Sequence, residues 1–219
     1  MEIKNNVYYV GVLDKELNVF DVNMKLKYGT SYNSYLIKGQ KYTALVDTVK
    51  DEFAEQYIKN IEEYINIKEI NYLIVNHSEP DHAGSIEKIL KMNPDIEVCG
   101  TKMAIEFVRN ILNFDFKSNV LTANDSIELG EKELKFFPFP MLHWPDSMYK
   151  MLFTCDSFGV HYASEKMYND LEKDITEEYK YYFDNILGPF KDPFLLNALK
   201  KIALIPIEYI CPGHGLIIR

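Results

Sequence analysis

The run His77-Ser78-Glu79-Pro80-Asp81-His82 stands one residue, Asn76, beyond the apolar stretch Tyr72-Leu73-Ile74-Val75, and this junction constrains the chain more than any other part of it. Four side chains with nitrogen or oxygen donors fall within six positions, on a turn where a buried strand would deliver them to a surface cleft. The spacing reads as a metal site. Glu79 stands where an all-histidine arrangement of this spacing would carry a third imidazole. Imidazole-rich sites suit zinc, whereas imidazoles mixed with several carboxylates make a harder, anionic site able to stabilise iron in its higher oxidation state. Redox chemistry is therefore favoured over hydrolysis.

Three further donors stand at expected strand ends beside small or rigid residues. They are His143 in Pro140-Met141-Leu142-His143-Trp144-Pro145, Asp156 after Phe153-Thr154-Cys155, and His214 in Pro212-Gly213-His214-Gly215. With His77, Glu79, Asp81 and His82 they make four imidazoles and three carboxylates, enough for two metals if one carboxylate bridges. Asp156 is the natural bridge. The fifth histidine, His161, is expected to hydrogen-bond a carboxylate of the site or simply to pack. Trp144 and Pro145 read as loop packing, and as candidates for a wall limiting access to the metals. Most of the 16 tyrosines read as ordinary packing, with Tyr32, inside the run Gly29–Leu36, the one candidate for approaching the cleft.

Length and composition bound the rest. The 219 residues, 47% hydrophobic and 26% charged, suffice for one large core, so a single domain spanning 1–219 is expected. A formal charge of −9 argues against a nucleic acid or an anionic membrane as partner. No apolar run is long enough to span a bilayer and the N-terminus lacks the apolar core of a signal peptide, so a soluble, cytoplasmic protein is expected. Cys99, Cys155 and Cys211 are odd in number and widely spaced, which reads as reduced core thiols.

Along the chain, Val7–Val12, Lys25–Tyr28, Ser34–Lys38 and Tyr42–Asp47 read as a β meander. Phe53, Tyr57, Ile61 and Tyr64-Ile65 then follow helical spacing. Strand Tyr72–Asn76 leads into the metal loop. Gly84-Ser85 offers an N-cap for a helix Ile86–Met92 stopped by Pro94, and Thr101 one for Met103–Leu112, after a strand Ile96–Cys99. A second β block spans 119–138. Strand Met148–Cys155, helices within Lys166–Ile186 and Pro193–Ala203, and a final strand Tyr209–Cys211 complete the chain. Periodicity alone gives a mixed α/β class; donors at strand ends in two β/α halves suit a four-layer αββα sandwich.

The order H-x-E-x-D-H, then His143-Trp144-Pro145-Asp146-Ser147, then Asp156 before Phe158-Gly159, then His214-Gly215, resembles the flavodiiron proteins. The runs Gly29–Leu36 and Gly213–Arg219 are similar to the same family, so the resemblance covers nearly the whole chain. It implies a metallo-β-lactamase-like diiron domain in which His77, Glu79 and His143 hold one iron ion and Asp81, His82 and His214 the other, Asp156 bridging. No catalytic residue beyond the metal ligands is implied. Two ferrous ions bring four positive charges and three carboxylates remove three; an oxo, hydroxo or peroxo bridge would offset the extra charge of the diferric state. Family members continue into a flavodoxin-like domain that holds FMN, but no Gly/Ser/Thr-rich strand-to-helix turn for its phosphate is seen in these residues, so no FMN is expected within this chain. The resemblance then implies dioxygen binding, read here as oxygen or iron sensing reported to a signalling partner protein. The alternative is a dioxygen or nitric oxide reductase fed by a separate flavodoxin or rubredoxin, and a zinc-dependent hydrolase is the third reading. A homodimer is compatible with each.

Overall fold

Alternation along the strands sets the architecture. The computed structural model describes residues 1–123, 125–138, 148–149, 152–203 and 207–219, with backbone alone at 138 and 148–149. Among these, seven strands form one mixed sheet in the order Glu2–Lys4, Val7–Tyr9, Tyr35–Lys38, Thr43–Val46, Tyr72–Val75, Glu97–Gly100 and Ser118–Val120. The first four pair antiparallel and the last four parallel.

Leu36, Leu45, Leu73, Val75 and Val98 project from one face of this sheet. They bury the apolar stripes of helices Ala54–Glu62, Ile86–Met92 and Lys102–Leu112, through Tyr57, Ile61, Ile89, Ile105 and Val108. The other face, with Tyr35, Ile37, Val46 and Ile74, packs on a second β layer through Ile127, Leu134, Phe153 and Cys211. Hairpin Ser126–Glu128 with Glu133–Lys135 and the parallel pair Phe153–Cys155 with Cys211–Pro212 supply that layer. Beyond it, helices Thr176–Tyr182 and Leu196–Ile202 have their own buried clusters around Tyr182 and Ile202. The result is the expected helix–sheet–sheet–helix sandwich. Burial of both sheet faces explains why the parallel strands read as continuous apolar runs rather than alternating ones.

Local differences from the sequence reading have local causes. The expected strand Val7–Val12 divides: Val7–Tyr9 pairs with Tyr35–Ile37, while Val12–Asp14 pairs with Thr30–Tyr32. Gly11 permits the change of partner, since a Cβ there would meet the Tyr32 carbonyl oxygen at 2.3 Å. In place of a strand Lys25–Tyr28, Met24–Lys25 closes a short hairpin with Val19–Phe20. The final strand is shifted to Cys211–Pro212, which pairs with Phe153–Cys155 and so leaves Tyr209 outside. Thr101 caps its helix, accepting from the Ala104 N–H at 3.2 Å. Ser85 does not cap; its hydroxyl donates to the Val49 carbonyl at 2.9 Å. No helix among the described residues is long and apolar enough to cross a membrane.

Candidate metal centre

The carboxyl ends of the parallel strands converge on the loop 76–82, as ligand sites of α/β sheets do. Strand Tyr72–Val75 delivers Asn76 and His77; after Glu79 the chain turns into the single helical turn Pro80–Ala83, with Pro80 at its start. That turn places Asp81 and His82 beside the end of the second β layer. There the pairing of Phe153–Cys155 with Cys211–Pro212 sets Asp156 next to His214.

Six of the seven expected donors come together. Their ligand atoms form the groups Asp81, His82, His214 and His77, Glu79, Asp156, each within 4.8 Å. The two oxygens of Asp156 face different groups. Its Oδ2 stands 3.3 Å from His77 Nε2, and its Oδ1 stands 3.1 Å from His82 Nε2 and 3.4 Å from His214 Nε2. His77 Nε2 is also 3.0 Å from Glu79 Oε2. His143, with Trp144 and Pro145, lies outside the described residues.

The electrostatics fit a cation. Burial works to raise the carboxyl of Asp156, but His82, His214 and His77 overcome it and hold the group well below the ordinary carboxylate range. Asp81 is likewise lowered, burial notwithstanding, by His82 and His214. Conversely His214 is pushed up to about 10, because Asp156 and Asp81 outweigh its burial. Both oxygens of Asp81 are buried without a hydrogen bond among the described residues; His214 Nε2 approaches Oδ2 to 3.2 Å without hydrogen-bond alignment. A buried polar atom left so costs about 1–3 kcal/mol, more for a charged group. A metal ion is the partner that satisfies converging carboxylate and imidazole lone pairs together.

Surrounding hydrogen bonds orient the donors. His214 Nδ1 lies 2.6 Å from the Ser31 carbonyl oxygen, which can only accept, so Nδ1 carries a proton and Nε2 is the nitrogen turned toward Asp81 and Asp156, the one a metal would displace a proton from. Asn33 donates from its amide to the carbonyls of Pro212 at 2.8 Å and Gly215 at 3.0 Å, fixing the loop that carries His214. The sequence reading missed Asp47 and Thr48. The Asp47 carboxylate accepts from Asn76 N at 2.7 Å and Asn76 Nδ2 at 3.1 Å, tying two strand ends together. Burial pushes Asp47 up to about 6, against the opposing pull of His82 and Asn76. Thr48 donates from N at 2.7 Å and from Oγ1 at 2.8 Å to the His82 carbonyl. The signal was present as two polar residues closing the apolar run Ala44–Val46 level with Asn76.

Residues 30–215 match the family described as ODP family beta lactamase. The chain belongs to the flavodiiron protein family. It is 38% identical to the flavo-diiron protein FprA2 of Clostridium acetobutylicum, covering 98% of this chain and 56% of that protein. It is 37% identical to the type A flavoprotein of Rhodobacter capsulatus, covering 97% and 51%. Its fold matches the crystal structure of the flavodiiron protein from Giardia intestinalis with a TM-score of 0.94 at 32% identity, over 100% of this chain and 55% of that one. Rubredoxin oxygen:oxidoreductase from Desulfovibrio gigas matches with a TM-score of 0.94 at 28% identity, over 100% and 57%. The chain thus spans about half the length of the flavodiiron relatives it matches.

Two features of this flavodiiron chain modify the sequence reading. Among the described residues His161 hydrogen-bonds no carboxylate; its Nδ1 is 2.8 Å from Thr30 Oγ1, and its ring packs 4.8 Å from that of His214. Burial, followed by the neighbouring His214, pushes it down to about 2, so it stays a neutral imidazole. Tyr32 does reach the cleft: it is buried and lines a cavity of about 350 Å³ that opens onto Glu79 and Asp81. Phe20, which sequence reasoning did not single out, roofs the same donors from the hairpin Val19–Lys25, its ring 5.3 Å from His214 and 4.1 Å from His161.

Proposed function

We propose that this chain binds dioxygen at a pair of iron ions, one held by His77, Glu79 and His143 and the other by Asp81, His82 and His214, with Asp156 shared between them. The observation that carries the reading is the orientation of Asp156, whose two oxygens face two separate donor groups. Three carboxylates among the seven donors make the set hard and anionic, which favours iron over zinc. When bound, two ferrous ions supply two electrons and open positions for a diatomic ligand.

The protein's own contribution is orientation and exclusion of water. Ser31 fixes the tautomer of His214, Asp47 and Thr48 brace the loop 76–82, and the Tyr182 hydroxyl donates to the Asp156 carbonyl at 3.0 Å. Phe20 covers the donors on the side of the cleft.

Reducing dioxygen to water takes four electrons, twice what the two ions hold, so completion depends on electrons from elsewhere. A site that waits for them keeps its oxygen-reacted form, and we read that persistence as the signal of an oxygen sensor passed to a partner protein. The second reading is a dioxygen or nitric oxide reductase served by a separate flavodoxin or rubredoxin. It is favoured by the name of the Desulfovibrio gigas relative, rubredoxin oxygen:oxidoreductase. The three buried free thiols suit a reducing compartment, so the cytoplasm is part of the proposal.

Adding dioxygen to protein loaded anaerobically with ferrous iron separates the two. The visible absorption that appears is expected to persist for minutes with no donor present and to change little when reduced rubredoxin is added. Collapse within milliseconds, or many rapid turnovers with the donor, would establish the reductase instead.

A further inference from the structure

A thiol stands among the proposed metal ligands. Cys155 Sγ, a ring nitrogen of His82 and a carboxylate oxygen of Asp156 all lie within 4.8 Å of one another, and all three residues are buried. The diiron reading uses His82 and Asp156 but gives the thiol no role. Cys99 and Cys211 pack in the apolar cluster between the two β layers, whereas Cys155 ends the strand Phe153–Cys155 beside the donors.

The packing around residue 213 turns this proximity into a site. A Cβ on Gly213 would meet His82 Cε1 at 2.7 Å and Cys155 Cα at 3.2 Å, so glycine there lets the imidazole ring and Cys155 close on each other. Cε1 lies between the two ring nitrogens, so the edge of His82 turned this way is the one that carries its lone pair. His82 is 1% exposed. Its Nε2 meets Asp156 Oδ1 at 3.1 Å, and its Nδ1 has no hydrogen-bond partner among the described residues. A buried imidazole nitrogen left in this state marks the place of a partner the protein does not itself supply.

We propose that His82, Cys155 and Asp156 form an alternative position for a single thiophilic cation of the zinc and cadmium class, with water as its fourth ligand. Exchanging Asp81 and His214 for a thiolate softens the donor set, and thiolate with imidazole suits zinc-like ions. A tetrahedral ion with bonds of about 2.0–2.3 Å holds its ligand atoms about 3.5 Å apart, a short closure for donors already within 4.8 Å. As the cation binds, the thiol passes its proton to solvent, and no oxidant or reductant takes part. His82 and Asp156 serve this position and the iron pair alike, so a cation held by the thiol takes the shared carboxylate and shuts iron out. That exclusion rests on the diiron reading, whereas the thiol position does not.

The test uses the full chain, cleared of metal by a chelator and titrated without air with cadmium, whose bond to a thiolate absorbs in the ultraviolet. In wild type the band is expected to reach its limit at a single equivalent. Cys155→Ser should lose the band and bind cadmium at least about tenfold more weakly. Cys155→Gly, which suits the φ of 43° at this position, should behave alike and guards against a serine variant that folds poorly. Cys99→Ser should keep the band. No band in wild type, or an equal band and affinity in the Cys155 variants, overturns the site. Cadmium added before ferrous iron should cut iron uptake by wild type at least about tenfold and that by Cys155→Ser far less; full iron uptake by cadmium-loaded wild type overturns the exclusion. Because the ultraviolet band requires no iron, failure of the diiron reading leaves that result intact and is recognised separately, by the iron content of protein never exposed to cadmium.

Discussion

Asp156→Ala is expected to lose both metals while the protein stays folded. Among the described donors, Asp156 alone approaches both groups, 3.3 Å from His77 Nε2 on one oxygen and 3.1 Å from His82 Nε2 on the other. Alanine removes a ligand from each ion at once and takes away one of three negative charges that balance them. Changes to groups that only support a ligand cost about 10–100-fold in metal affinity, so loss of a shared ligand should exceed about a hundredfold for each ion. The backbone has reason to survive, because Phe153–Cys155 remains paired with Cys211–Pro212 and the Tyr182 hydroxyl bonds the carbonyl rather than the carboxylate of residue 156. Iron analysis after gel filtration, with circular dichroism as the control for folding, reads the effect. An intact coupled iron pair in the variant would remove Asp156 from the bridging role.

The second large effect is expected from Glu79→His. Glu79 lies 3.0 Å from His77 and is the carboxylate that departs from an all-histidine pattern in the loop. Histidine there removes one negative charge, softens the donor set and withdraws the ligand that most favours the ferric state. Protein produced in medium with equal zinc and iron should shift its zinc-to-iron ratio by about tenfold or more toward zinc. The visible absorption after addition of dioxygen should diminish in proportion. If iron content and spectrum match wild type, donor hardness does not select the metal here.

Much of the centre was legible because its residues are local or sit at strand ends with strong signals on both sides. His77, Glu79, Asp81 and His82 announce themselves after four apolar residues, and His214 lies between two glycines. Asp47 and Phe20 were not legible in the same way. Asp47 acts by meeting Asn76 across two parallel strands, a pairing fixed by tertiary register rather than by spacing along the chain. Phe20 matters because the hairpin it belongs to folds back over His161 and His214, and a short polar stretch such as Asp21-Val22-Asn23 gives no hint of that docking. His161 shows the same limit: proximity to the proposed metal ligands was readable, but its partner, Thr30, comes from a strand 131 residues away. The division of Val7–Val12 into two strands likewise follows from the close approach of Gly11 to Tyr32, a contact that periodicity cannot encode.

Mössbauer spectroscopy of wild-type protein grown on isotopically enriched iron, combined with metal analysis, tests the central claim most directly. The expected result is about two irons per chain, with the oxidised pair antiferromagnetically coupled to a diamagnetic ground state through their shared ligand. Stoichiometric zinc, a single iron, or two magnetically independent irons would contradict the assignment of a diiron centre bridged by Asp156.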